Sequence, residues 1–163
     1  MSCCVLFLIL RIGAAGVLLL PISVRDIRTR CLPERFIRLL GAASSLRVIP
    51  LLPGMPGGTA EALFAVLFDM LSGGAGTLLL LLAVTRLADR LTGRNTLGGG
   101  DVRLAAALGL HLGFFPMLIA LLAASFLALP EALLRRRRGE SGFPFAPYLS
   151  AAGIAVMILL AGV

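Results

Sequence analysis

The sequence predicts an all-α, polytopic membrane protein with about six transmembrane helices. Three observations carry that prediction. First, 59% of the 163 residues are hydrophobic, 14% are charged, and the mean hydropathy is +1.02. Soluble domains carry roughly a quarter charged residues, so too few polar residues are present to cover a soluble core of this size. A soluble enzyme is excluded, and so is a disordered chain. Second, a membrane helix takes about 20 apolar residues, so the length admits about six spans with short loops. A single transmembrane domain over residues 1–163 is expected, with no room for a separate soluble one.

The third observation is where the charge sits. All 15 basic residues are Arg, and eight acidic residues leave a net charge of +7. Arg25, Arg28, Arg30, Arg35 and Arg38 form one cluster, Arg86, Arg90, Arg94 and Arg103 a second, and the run from Arg135 to Arg138 a third. Basic clusters separated by apolar stretches mark cytoplasmic segments. They also suit binding to anionic lipids of the bilayer. No fold or aromatic platform accompanies them, so nucleic acid is not an expected partner. Cys3, Cys4 and Cys31 show no paired spacing for a zinc site or a disulfide framework.

The elements follow in order. Residues 5–24 form the first span, which is retained because it lacks the basic start and the small-residue cleavage site of a signal peptide. Arg11 within it snorkels or faces protein, and Pro21 is placed to kink its last turn. A polar segment at 25–35 leads to a weaker second span at 36–52, which carries Arg38 and Arg47 and so packs against protein. Pro and Gly at 50–58 predict an external turn. The third apolar stretch, 60–87, exceeds the bilayer core of about 30 Å, and tilt or a break at Gly73, Gly74, Ala75 and Gly76 would absorb the excess.

Residues 102–134 are flanked by basic residues at both ends, so an even number of passes is required. One helix of that length would measure about 50 Å. Gly113, Phe114, Phe115 and Pro116 supply a turn, giving two short passes, of which the first need not cross fully. The Arg run and 139–142 form the third inner segment. Residues 145–163 form the last span, with Pro147 in its first turn. Both termini lie outside.

A charge inside a membrane is costly, and each acidic residue therefore needs a reason. Glu34, Asp89 and Glu140 fall in polar loops and Glu61 near an outer edge, as solvated or ion-paired groups. Asp69 pairs with Arg47, and Glu131 with the Arg run. His111 lies far from the inner ends and reads as packing or interfacial. Asp26 ends the first span on the inner side, and Asp101 follows Gly98, Gly99 and Gly100 to open the fourth, also on the inner side. Two carboxylates at one depth can share a water as general base and general acid. The glycines let the backbone approach a substrate strand and take turns closed to other residues. The same two residues read equally as a helix-capping Asp101 and a salt-bridged Asp26.

Three sequence blocks favour the chemical reading. Asp26-Ile-Arg-Thr-Arg-Cys-Leu-Pro33-Glu34 resembles the prepilin peptidase pattern of an Asp, a basic turn and an Ile-Pro-Asn step. The stretch Gly98-Gly99-Gly100-Asp101-Val102-Arg103-Leu104 resembles that family's GxGD box, and Phe143-Pro144-Phe145-Ala146-Pro147-Tyr148-Leu149 resembles its late Pro-Phe-Gly-Pro signature. Glu34 stands where Asn is common and Arg103 where Lys is common. The resemblance implies a GxGD-type intramembrane aspartyl protease that removes the leader of type IV pilin-like precursors at the cytoplasmic face of a bacterial or archaeal cell membrane. It implies Asp26 and Asp101 as the catalytic pair, and Gly98, Gly99, Gly100, Pro33, Glu34, Pro144, Phe145 and Pro147 as substrate-binding or supporting residues. Neither a metal nor a cofactor is expected. The cytoplasmic zinc and methyltransferase region of two-function members is not expected either, which likens the chain to the short forms of Flp/Tad-type pili.

Within that resemblance, helix ends suggest the roles. Asp101 at a helix N-terminus would be the base, and Asp26 at a helix C-terminus the acid. The substrate is a pilin or pseudopilin precursor with a basic leader, read by acidic groups such as Glu34 or Asp89, followed by an apolar helix. A presenilin-like protease also uses GxGD, but Arg25 rather than Tyr precedes Asp26 here. Outside proteases, the alternative is a small polytopic transporter or a non-catalytic membrane subunit, with Arg11, Arg47 and Asp69 as a polar pathway. No inverted repeat supports a transporter.

Overall fold

A computed structural model describes residues 2–51, 59–93, 97–138 and 143–161. Most of the expected external turn at 50–58 and the 139–142 part of the third inner segment lie outside these residues. The described chain folds into six α-helices: α1 (Ser2–Thr29), α2 (Glu34–Ala43), α3 (Ala60–Thr92), α4 (Gly99–Leu112), α5 (Phe114–Arg137) and α6 (Ala146–Ala161). No strand occurs among the described residues. The chain is a polytopic, all-α membrane protein. Three helical segments, Leu6–Thr29, Ala60–Thr92 and Phe114–Arg135, are long and apolar enough to cross a bilayer. Large apolar side chains such as Leu20, Phe64, Leu79 and Phe126 point outward, as a lipid solvent requires.

Helix ends follow local chemistry. Thr59 caps α3, its hydroxyl accepting from the Ala62 N–H at 3.2 Å. Gly93 ends the same helix with φ +64° and donates to the Asp89 carbonyl. Gly113, at φ +86°, makes the expected turn between α4 and α5.

One expectation needs correction, and of the two alternatives for the third span, tilt or a break, the break is not taken. The second span is a helix of 10 residues, about 15 Å long. Beyond Ala43 the chain tightens into two 3-10 turns, Ser44–Arg47 and Ile49–Leu51. The hydroxyls of Ser44 and Ser45 donate to the carbonyls of Gly41 and Ala42, in competition with the helical ladder, and Pro50 has no N–H to continue it. The third span, in contrast, runs unbroken through Gly73, Gly74 and Gly76. These glycines form a packing face instead. A Cβ on Gly73 would collide with the Gly109 carbonyl oxygen, and one on Gly109 with the Gly73 carbonyl. Gly74 lies under Leu110 and Gly76 under Phe114. Small residues bring two membrane helices to backbone contact.

That contact helps make α4 the centre of the bundle. It packs against α2, α3, α5 and α6, and buries Leu104, Leu108 and Leu112. It has 14 residues, about 21 Å, so it is shorter than a bilayer core, as expected for the first of the two passes. At its C-terminal end the expected pair forms: Arg47 Nη2 lies 2.8 Å from Asp69 Oδ2, and Arg47 Nη1 donates to the Leu110 carbonyl at 3.5 Å. His111 is buried, with Nε2 2.8 Å from the Leu40 carbonyl, and is a packing residue. Glu131 pairs with Arg135 at 2.8 Å.

Candidate active site

Asp26 sits in the last turn of α1 and is only 5% exposed. The helix stops just beyond it. Arg30 takes the left-handed conformation, φ +54°, and donates its N–H to the Asp26 carbonyl at 2.9 Å. A non-glycine there costs roughly 1–2 kcal/mol, so packing holds a strained turn next to the carboxylate. Pro33 then caps α2, its carbonyl accepting from Phe36 and Ile37, and Glu34 opens that helix. Asp26 Oδ2 accepts from the backbone N–H of Ala146 at 3.2 Å, so the start of α6 is fastened to the carboxylate.

Asp101 lies in the first turn of α4. Its own N–H and that of Val102 donate to the Gly98 carbonyl, at 3.0 and 3.4 Å. Its Oδ1 is buried and has no hydrogen-bond partner among the described residues. Asp26 and Asp101 are close enough to interact electrostatically, and both line one cavity of about 590 Å³.

The wall of that cavity contains Gly98, Gly99, Gly100, Glu34 and Phe145. Pro33, Pro144 and Pro147 are not part of it. Pro144 is buried, and Pro147 stands in the first turn of α6, so these prolines direct the chain around the site. Sequence reasoning missed Leu97 and Ile37. It also gave no site role to Arg30, Cys31, Leu32 or Arg103, although these stand inside the sequence blocks, whereas Phe143, which opens the third block, does line the cavity as expected of that block. Ile37 had a signal, since it falls three residues after Glu34, on the same face of α2. Arg103 pairs with Glu34 at the cavity wall. Phe143 stacks on Tyr148, with ring centroids 5.4 Å apart, and the Tyr148 hydroxyl donates to Glu131.

Two physical premises change here. None of Gly98, Gly99 and Gly100 has a positive φ, so the glycines are not needed for an unusual turn. Only Gly100 is closely packed. A Cβ on Gly100 would come within 2.6 Å of Leu32 Cδ1 and one on Gly98 within 3.4 Å of Asp101 Oδ2, while Gly99 faces open room. The helix-end basis for the acid and base roles also fails. Asp26 ends α1 but accepts the first N–H of α6, so both carboxylates face helix N-termini.

Among the described residues, no group of three or more His, Cys, Asp or Glu could hold a metal ion. What the arrangement offers is a pair of carboxylates, one with a bare oxygen, beside open backbone at a helix start.

Residues 4–133 match the type IV leader peptidase family. The chain belongs to that family. The first two sequence blocks fall inside the matched residues, and the third lies beyond them. The chain is similar to the prepilin leader peptidase/N-methyltransferase of Stutzerimonas stutzeri, with 37% identity over 100 residues, 59% of this chain and 35% of that protein. The protein of the same name from Pseudomonas aeruginosa is 39% identical over 95 residues, 56% of this chain and 33% of the relative. That of Burkholderia pseudomallei is 31% identical over 144 residues, 85% of this chain and 43% of the relative. The matches thus span about a third to two-fifths of these relatives' length. No solved structure matches the chain. Membership in the type IV leader peptidase family bears out the resemblance read from the blocks.

Proposed function

We propose that the chain is a membrane-embedded aspartic endopeptidase that removes the leader from pilin-like precursors, with Asp26 and Asp101 as its catalytic dyad. The observation that carries this is the meeting of the two carboxylates in one cavity, from α1 and α4, in a chain of this family. Like charges in one buried site favour a state in which one proton is shared. One carboxylate then takes a proton from a water as its oxygen attacks the scissile carbonyl carbon. The other gives its proton to the amide nitrogen as the C–N bond breaks. The products are a leader ending in a carboxylate and a mature chain beginning with a free amine. The first N–H groups of a helix have no intrahelical partner. Those of Gly99 and Gly100, at the start of α4 and in the cavity wall, are suited to stabilise the oxyanion.

The reading extends to place and partners. The Arg clusters support a cytoplasmic position for the dyad end of the bundle in a bacterial or archaeal cell membrane, and contact with anionic lipid there. The precursor is the partner, and Glu34 contacts its basic leader. Glu34 already pairs with Arg103, so a leader Lys or Arg takes the place of Arg103 rather than filling an empty acidic site.

The test is to reconstitute the chain with a pilin-like precursor in lipid vesicles and follow the precursor by mass spectrometry. Release of the basic leader, with a new N-terminus at the leader junction, supports the reading. An intact precursor across several such substrates overturns it.

A further inference from the structure

A second cavity, of about 690 Å³, runs between α3 and α5. Its walls include Leu80 and Val84 of α3 and Leu118 and Leu122 of α5. Its polar side chains, Thr85 and Ser125, turn their hydroxyls back to the carbonyls of Leu81 and Leu121 on their own helices. The groove therefore offers apolar surface and no free hydrogen-bonding group from these two. It also adjoins the dyad cavity: Leu97 and Phe145 line both.

The dyad cavity has two unlike sides. Arg30, Glu34 and Arg103 stand on the α1, α2 and α4 side, and Leu97 and Phe145 on the side shared with the groove. A polypeptide cut at the dyad must leave the cavity in both directions. A charged segment fits the first side, and a long apolar segment the second, because its side chains would be stranded against the Arg and Glu groups.

We infer that the groove between α3 and α5 is the docking site for the apolar segment that follows the scissile bond of the precursor. Leu97 and Phe145 form the threshold between the groove and the dyad. The inference rests on the peptidase reading above. It assigns the orientation of the substrate: leader toward Glu34, apolar helix along Val84 and Leu122. The groove thereby selects precursors whose apolar segment begins close to the cleaved bond.

The experiment uses the full chain in vesicles with a pilin-like precursor. A photo-crosslinking residue is placed at Leu122 in the groove or, in a second protein, at Leu20. Leu20 is exposed on α1, a helix that packs on α2 and α6. Both proteins also carry D101N, so that substrate is held rather than released. Crosslinks from position 122 to the apolar segment, and few from position 20, are expected. Crosslinks to lipid alone, or equal yields at both positions, overturn the groove. A kinetic arm uses L122W, which fills the groove in an otherwise active enzyme. It should raise KM for the full precursor roughly tenfold more than KM for a peptide that ends before the apolar segment, a difference of about 1.4 kcal/mol in binding. Equal effects on both substrates overturn the proposal. If L122W does not fold, the crosslinks decide. A wild-type chain that cleaves neither substrate defeats the peptidase reading itself, and is thereby distinguished from failure of the groove alone.

Discussion

Asp26 of α1 accepts a hydrogen bond from the backbone N–H of Ala146, the first residue of α6, at 3.2 Å. Ser23 and Ser150 reinforce the same joint with a hydroxyl pair 3.1 Å apart. One carboxylate thus carries two duties: it belongs to the proposed dyad and it fastens two helices distant in sequence.

The two duties separate by substitution. D26N keeps an oxygen that can accept from Ala146, whereas D26A leaves that buried N–H without a partner. A hydrogen bond to a charged group contributes about 1.5–3 kcal/mol. D26A should therefore unfold earlier than D26N in a thermal scan in detergent, and both should lack peptidase activity. Equal stability of the two variants would remove the helix-fastening role.

The glycines of the bundle should divide sharply. G109A and G73A place a methyl group on the facing backbone, which cannot move aside as a side chain would. Each should cost at least about 1–3 kcal/mol, the usual penalty of overpacking. G13A meets nothing within 4 Å and should stabilise α1 by about 0.5–1 kcal/mol, the helix preference of Ala over Gly. Thermal unfolding of the three variants in one detergent checks the order.

Arg103 and Glu34 form an exposed pair, each side chain 62% accessible, so breaking it should change stability by at most about 1 kcal/mol. The effect belongs in substrate kinetics. E34R should raise KM for a precursor with a basic leader. R103Q should lower it, because Glu34 is then released for the leader. Kinetics with leaders of graded charge provide the check. Unchanged KM values in both variants would take Glu34 out of leader recognition.

Much of this site is legible in the sequence because its parts are local. Asp101 with its glycines is one continuous block, and Asp26 with Pro33 and Glu34 is another. The membrane frame, read from hydropathy and Arg placement, already puts both blocks at one end of the helices. What is not legible depends on contacts between distant segments. Nothing near Ala146 announces that its N–H will meet Asp26. Gly73, Gly74 and Gly76 look like a weak point in a long helix until Gly109, Leu110 and Phe114 are seen against them. The early end of α2 depends on two serines that bond backward to their own helix, a competition that apolar periodicity does not register.

At the far end of α4, the Arg47 and Asp69 pair and the His111 contact with Leu40 hold the bundle without touching the dyad cavity. D69A and H111L should each lower stability by about 1–3 kcal/mol, as the partner groups lose their hydrogen bonds. Cleavage per folded molecule should stay near the wild-type rate. Thermal scans paired with active-fraction assays check this. Loss of cleavage in stable protein would revive the polar pathway through Arg47 and Asp69.

The most direct test is the cleavage rate of a pilin-like precursor by wild type, D26N and D101N in the same vesicles. Insertion and helix content are measured alongside. Wild type should release the leader, and each Asn variant should fall to background while remaining folded, because neither can complete the proton transfers alone. Retained cleavage by either folded variant would contradict the dyad.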